Sequence, residues 1–257
     1  LSFFAGSDGI IFENLSVNFI EEIKVPEIRA YYGWQAAMET IHSETYALMI
    51  DTYISNNEEK IRLLNGIKEV SGVKKKADWA QKWLNSEIPF AKRLVAFTIV
   101  EGLFFAGSFC AIFWLKYVKG LMTKALGKSN ELIARDESLH ADFGVLLYTY
   151  IENKLNIDEI NEMFTTAVDI EKEFICESFS CDLIGMNANS MKTYIEFQAD
   201  RLIQKMGYPK IYDVKCPFEF MDTISLDGKS NFFEQRVTDY NRPEQIVDKE
   251  LEILDDF

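Results

Sequence analysis

The chain contains two histidines, His42 and His140, and each follows a glutamate by three residues, in Glu39-Thr40-Ile41-His42 and Glu137-Ser138-Leu139-His140. In an α-helix, residues i and i+3 lie about 60° apart and one turn along, so each pair aims a carboxylate and an imidazole from one face. One such pair is half of a metal site. Two facing pairs, with one more carboxylate from each of two further helices, make a dinuclear iron or manganese centre inside a helical bundle. Chance would put glutamate before both histidines about once in a hundred chains of this kind, so the pattern needs support from elsewhere.

Glu101 supplies part of that support. It is the single charged residue between Leu94 and Leu115, and a carboxylate buried in apolar surroundings needs a metal or a cation beside it. For the remaining carboxylate, Asp8, Glu13, Glu21 and Glu22 are equivalent on physical grounds. Carboxylate oxygens with imidazoles suit Fe(II) or Mn(II). Cys110, Cys176, Cys181 and Cys216 show no C-x-x-C spacing and read as free thiols of a reducing compartment, the cytoplasm, rather than as ligands. Tyr46 follows His42 by four residues and so lies on the same helix face. Alone it reads as core packing; beside an oxygen-activating metal pair, a phenol can be oxidised to a radical. Phe104, Phe105 and Phe109 could keep such a radical dry, or simply fill the core.

The elements that must hold these residues are helices, because apolar spacing of helical period dominates from about residue 11 to residue 207. Pro26 opens a helix carrying Ala36, Met38, Ile41, Tyr46 and Ile50 to Ser55, and Pro89 opens an apolar helix expected to run without interruption to about Lys119-Gly120. A third long helix is expected after Lys128, with Ser129 or Asn130 as its N-cap, and it carries Glu137 and His140. Two more follow, from Asp158 to about Gly185 and from Ser190 to Gly207, with shorter ones over Glu58–Val70 and Lys76–Leu84. This predicts an all-α bundle over residues 1–210, followed by a C-terminal segment over 211–257 that ends in a mobile acidic tail.

A net charge of −14 over 257 residues argues against a nucleic-acid groove. Lys74-Lys75-Lys76 is the one basic run, and it reads as the solvated start of a helix. The apolar stretch from Leu94 to Leu115 is long enough to span a bilayer, so a membrane protein stays open as an alternative; a helix surrounded by others in a bundle has the same composition. The chain opens on Leu1 in an apolar run and looks like a fragment lacking its beginning.

Several long motifs occur in order: Phe3-Phe4-Ala5-Gly6-Ser7-Asp8-Gly9, Met38-Glu39-Thr40-Ile41-His42-Ser43-Glu44-Thr45-Tyr46, Val100 to Phe109, Ser129 to His140, and Ile224 to Phe233. Together they resemble the radical-carrying small subunit of class I ribonucleotide reductase, in the form found in eukaryotes and large DNA viruses. The resemblance implies a ferritin-like bundle with two iron ions, or manganese, joined by an oxo bridge. It implies Asp8, Glu39, His42, Glu101, Glu137 and His140 as metal ligands, Tyr46 as the radical site, and Phe105, Phe109 and Ile133 as the pocket around it. Asp136 is implied as the partner of a ligand histidine, here His42, on the radical path, with Arg135 and Tyr240 further along it.

The same resemblance implies dioxygen as co-substrate, a homodimer, and a large catalytic subunit that receives the tail Leu254-Asp255-Asp256-Phe257 and performs the reduction of ribonucleotides. The family's path also uses a tryptophan that would precede Leu1; Trp34, Trp79, Trp83 and Trp114 do not fall at its position. A ferritin-like iron-storage protein, which would not need Tyr46, and a membrane-bound di-iron oxidase, which would make the Glu101 helix a true span, remain rival expectations.

Overall fold

The structure is a computed structural model that describes residues 1–6, 18–178 and 186–224. Among the described residues there is no strand. After the short turn α1 (Ile20–Glu22) come α2 (Pro26–Tyr53), α3 (Asn57–Leu64), α4 (Gly66–Glu69), α5 (Ser71–Leu84), α6 (Phe90–Leu103), α7 (Ala106–Phe113) and a π-helical turn, Trp114–Val118. They are followed by α8 (Ala125–Thr149), α9 (Ile157–Ser178), α10 (Ala188–Lys205) and α11 (Glu219–Ile224). Residues Leu1–Thr223 form one compact unit.

Local chemistry explains most of the boundaries. Val25 is extended before Pro26, which takes the first position of α2, where its missing N–H costs nothing. Asn56 and Asn187 cap α3 and α10 by accepting the N–H groups of Glu59 and Ser190, each at 2.9 Å. Gly207, at φ +89°, ends α10 in the left-handed conformation that glycine adopts without strain. Beyond it, the buried Asp200 of α10 holds the following loop: its Oδ1 accepts from the N–H groups of Ile211 and Tyr212 at 2.9 and 3.0 Å, and its Oδ2 from that of Asp213 at 2.6 Å.

The core of the bundle is α6, which packs most extensively against α8. Close approach depends on two positions without a side chain. A Cβ on Gly144 would sit 2.3 Å from Thr98 Oγ1, and one on Gly102 would meet Leu202 at 2.9 Å. The segment Phe90–Val118 is long and apolar enough to cross a membrane, yet 72% of its most apolar window is buried within the protein. Its apolar surface is thus matched by helices of the same chain, as expected for a bundle core.

Three expectations about the helices are corrected. The apolar helix is not continuous: α6 ends at Leu103, the Phe104 N–H reaches five residues back to the Ile99 carbonyl at 3.4 Å, and α7 restarts at Ala106. The groups that bond to the break come from far away in sequence. Lys76 is not at a solvated helix start but lies six residues into α5 and is 1% exposed, whereas Lys74 and Lys75 stay at the surface. The Lys76 ammonium donates to the Phe104 carbonyl at 2.7 Å, pairs with the fully buried Glu171, and sits over the rings of Phe3 and Phe174 at 3.8 and 3.7 Å. Glu171 Oε1 in turn accepts the Gly107 N–H at 3.2 Å. The polar groups released by the break are therefore taken up by one ion pair. Likewise, Ser129 and Asn130 do not cap α8. The helix starts at Ala125, and both side chains bond back to carbonyls of its first turn.

Burial pulls the Lys76 ammonium down to about 8 despite Glu171, and it pushes the Glu171 carboxyl up to about 7 despite Lys76 and Gly107. Both shifts oppose the charged pair. The Glu171 contribution to stability is present at low pH and lost as pH rises through about 7, while that of Lys76 grows from about pH 8 toward 10.5. Breaking the pair should still be costly, because one charge is then left without its partner. Lys76→Met alone is expected to lose about 3–5 kcal/mol by urea denaturation, and Lys76→Met with Glu171→Gln to recover much of that loss. Equal losses in the single and double variants would contradict the pairing.

Candidate metal centre

Four elements could carry ligands, and the three that are described converge. α2 brings Glu39 and His42, α6 brings Glu101, and α8 brings Glu137 and His140; all five side chains are at most 3% exposed. Glu39, Glu101, Glu137 and His140 each offer a ligand atom within 4.8 Å of the others. Both imidazoles turn Nδ1 inward. His140 Nδ1 lies 3.0 Å from Glu39 Oε1, 3.3 Å from Glu137 Oε2 and 3.6 Å from Glu101 Oε2. His42 Nδ1 lies 3.1 Å from Glu137 Oε1 and 3.6 Å from Glu39 Oε2.

The pairing of oxygens divides the site in two. Glu39 and Glu137 each show one oxygen to His42 and the other to His140, whereas Glu101 meets only His140. Two carboxylates that span two imidazoles are what a pair of adjacent cations needs as bridges. The leftover atoms fit such a pair: both oxygens of Glu39, Glu101 Oε2 and His42 Nδ1 are buried and make no hydrogen bond of good geometry. Buried polar atoms without partners are costly, and metal coordination would satisfy them.

Charge in the cluster follows from the same contacts. Burial favours a neutral His42 ring, but bonding to Asp136, Glu137 and Glu39 outweighs it and holds the imidazole up to about 12. His140 is raised in the same way against burial, by Glu101, Glu137 and Glu39. Burial, then the carboxylates of Glu39 and Glu137, push Glu101 well above the usual carboxylate range. Glu137, although buried, is held far below that range by His140 and His42. Protons thus occupy the positions that cations would take.

Around the cluster, His42 Nε2 lies 3.0 Å from Asp136 Oδ2, and the Asp136 side chain is 34% exposed, so the contact runs from the buried site toward the surface. Arg135 is half-buried beside it. Tyr46 has no exposed surface. Its ring stacks on Phe4 at 4.3 Å and 10°, and Phe4 in turn contacts Phe105 at 5.3 Å and Phe109 at 5.1 Å. Ile133 is buried on α8. Asp8, Tyr240 and Leu254–Phe257 lie outside the described residues.

Three contributors escaped the sequence reading. Phe4, rather than Phe105 or Phe109, is the ring stacked on Tyr46. Gln35 Nε2 donates to Glu101 Oε1 at 3.0 Å, and Asn130 Oδ1 accepts the Tyr46 hydroxyl at 2.8 Å. Gln35 precedes Glu39 by four residues, a spacing that could have marked it as sharing the metal face. Nothing local distinguishes Phe4 from Phe3, or Asn130 from a cap.

Comparison with known proteins agrees with this architecture. A family model described as ribonucleotide reductase, small chain, matches residues 1–217. The ribonucleoside-diphosphate reductase small subunit of Dictyostelium discoideum is 56% identical over 240 residues, which cover 93% of this chain and 70% of that protein. The small chain of Vaccinia virus (strain Ankara) is 52% identical over 242 residues, covering 94% and 75%. Among solved structures, the ribonucleotide reductase Rnr4 homodimer of Saccharomyces cerevisiae superposes with a TM-score of 0.76 at 35% identity, covering 92% of this chain and 72% of that one.

Because protons and cations compete for the same nitrogens, metal uptake should release protons and strengthen as pH rises. Titrating metal-free protein with Fe(II) or Mn(II) from about pH 6 to about pH 8, by calorimetry in buffers of different ionisation enthalpy, is expected to show both effects. Loading that is independent of pH and releases no protons would remove the imidazoles from the ligand set.

Proposed function

The chain belongs to the ribonucleotide reductase small-chain family, and from that membership and the buried cluster we propose that it generates and stores a tyrosyl radical on Tyr46. It is a small subunit of ribonucleoside-diphosphate reductase. The observation that carries the radical reading is the environment of Tyr46: a phenol with no exposed surface, stacked on Phe4 and hydrogen-bonded to Asn130, four residues from a buried ligand histidine. Iron storage or simple oxidation would need the carboxylates and imidazoles, but not this pocket.

Glu39 and Glu137 would bridge two cations, Glu101 and His140 would complete one position, and His42 with Asp8 the other. When bound, an iron pair, or manganese in the same ligand set, supplies the reaction with dioxygen that draws one electron from a neighbouring phenol. The protein residues do the rest. Asp136 fixes the orientation of His42 through Nε2, as ligand histidines generally require. Gln35 holds one oxygen of Glu101 so that the other faces His140. Phe4, Phe105 and Phe109 keep water from the Tyr46 oxygen. The oxidising equivalent would leave by way of His42 and Asp136, with Arg135 and Tyr240 further along, toward a large subunit that binds the nucleotide and receives Leu254–Phe257. The setting would be cytoplasmic.

A second copy of the chain fits one face. Trp34, Ile41 and Leu48 on α2, and Leu132, Leu139 and Leu146 on α8, are each half or more exposed. Both sets recur every seven residues, so each forms a stripe along its helix. The two helices are joined by the Tyr31 hydroxyl, which donates to the Leu139 carbonyl at 3.2 Å, and by Tyr31 stacking on Phe143 at 3.6 Å. Exposed apolar surface of this extent marks an interaction site. Ile41, one of the apolar residues of the helix that Pro26 opens, belongs to this face.

Electron paramagnetic resonance after addition of Fe(II) and dioxygen should give a tyrosyl signal from the wild type and none from Tyr46→Phe at unchanged metal content. A metal-loaded wild type without that signal would sink the radical reading. Separately, Leu139→Asp should convert the dimer to monomer by light scattering, with metal binding retained.

A further inference from the structure

Asn130 holds the oxygen atom that the proposed chemistry changes. It has no exposed surface, it sits on α8 seven residues before Glu137, and its Oδ1 accepts the Tyr46 hydroxyl at 2.8 Å. The other end of the amide is committed as well: Nδ2 donates to the Leu126 carbonyl one turn back at 2.8 Å. Turning the amide over would set Oδ1 against that carbonyl, acceptor against acceptor. Leu126 therefore fixes Asn130 as an acceptor toward Tyr46.

We infer that Asn130 is a one-way hydrogen-bond acceptor that favours the reduced phenol of Tyr46 and so makes its radical a stronger oxidant. The inference rests on Tyr46 as the radical site. Oxidation removes one electron and the hydroxyl proton; the electron is one of the four that reduce dioxygen to water, the others being two from the Fe(II) pair and one from an external one-electron reductant, and the proton joins those that water formation takes up. A carboxamide oxygen is not basic enough to keep that proton. Once it has gone, Oδ1 faces an oxygen with nothing to donate, and a buried hydrogen bond present in the phenol is missing from the radical. Asn130 thus penalises the oxidised state alone, which raises the driving force for passing the equivalent onward.

The test compares the wild type with Asn130→Leu and Asn130→Met, apolar side chains of similar length; two variants guard against one that fails to fold. In metal-free protein, the vibrational bands of the Tyr46 phenol, isolated by difference against Tyr46→Phe, should shift as the hydroxyl loses its acceptor. In protein treated with Fe(II) and dioxygen, the ratio of radical to phenol at a fixed mediator potential should rise about tenfold, the worth of roughly one hydrogen bond. High-field resonance should give the same g-tensor for the wild type and the variants, because Asn130 makes no bond to the oxidised oxygen; the comparison cancels any other neighbour of that atom.

An unchanged ratio in either folded variant, or unshifted phenol bands, would overturn the inference while leaving the radical reading intact. A g-tensor that differs between wild type and variant would overturn it too, by showing that Asn130 donates to the radical. Absence of a tyrosyl signal from the wild type would overturn the Tyr46 reading, and this inference with it.

Discussion

Three carboxylates and two imidazoles meet in the interior of an apolar bundle, at distances where each controls the charge of the next. Like charges so close in a poorly screened interior repel strongly. Positive charge must enter with them, as protons on His42 and His140 or as cations in their place. The surrounding packing answers that demand. Gly144 lets α8 approach α6 closely enough to bring His140 against Glu101, Gly102 beside that carboxylate leaves room for Leu202 of α10, and Gln35 takes the Glu101 oxygen that faces away from His140.

The same bundle holds a second buried charge pair for a different purpose. Lys76 and Glu171 lie on α5 and α9, outside the helices of the cluster. Through the Phe104 carbonyl and the Gly107 N–H they fix the interruption between α6 and α7. That interruption lies just after Glu101 and just before the rings that reach Phe4. One ion pair thereby sets the ends of two helices that face the site from opposite sides of the break, which is the kind of specificity that buried charge can supply.

Much of this was legible in the residues. Prolines at 26 and 89 marked helix starts because their geometry leaves few alternatives, and Glu101 stood out because nothing else between Leu94 and Leu115 is charged. The E-x-x-H spacing located both halves of the centre. What was hidden depends on contacts between distant segments. The break after Leu103 carries no proline, and Gly102 and Gly107 beside it are the small residues of any close helix contact, while the lysine that takes up the Phe104 carbonyl comes from another helix. Lys76 looked like its two solvated neighbours, and Asn130 looked like a cap because Ser-Asn at a helix start usually is one. Ile41 shares apolar character with the core but points away from it, one residue and so about 100° around the helix from the buried His42. Among Asp8, Glu13, Glu21 and Glu22, only resemblance chose.

Asp200 carries a consequence for the exit from α10. By holding the N–H groups of Ile211, Tyr212 and Asp213 on one carboxylate, it ties the exit from α10 back onto α10 itself. Three backbone donors thus share one buried acid. Replacing Asp200 with alanine would strip all three of their acceptor in a single step, so the turn that follows the helix closes or opens as a unit rather than residue by residue.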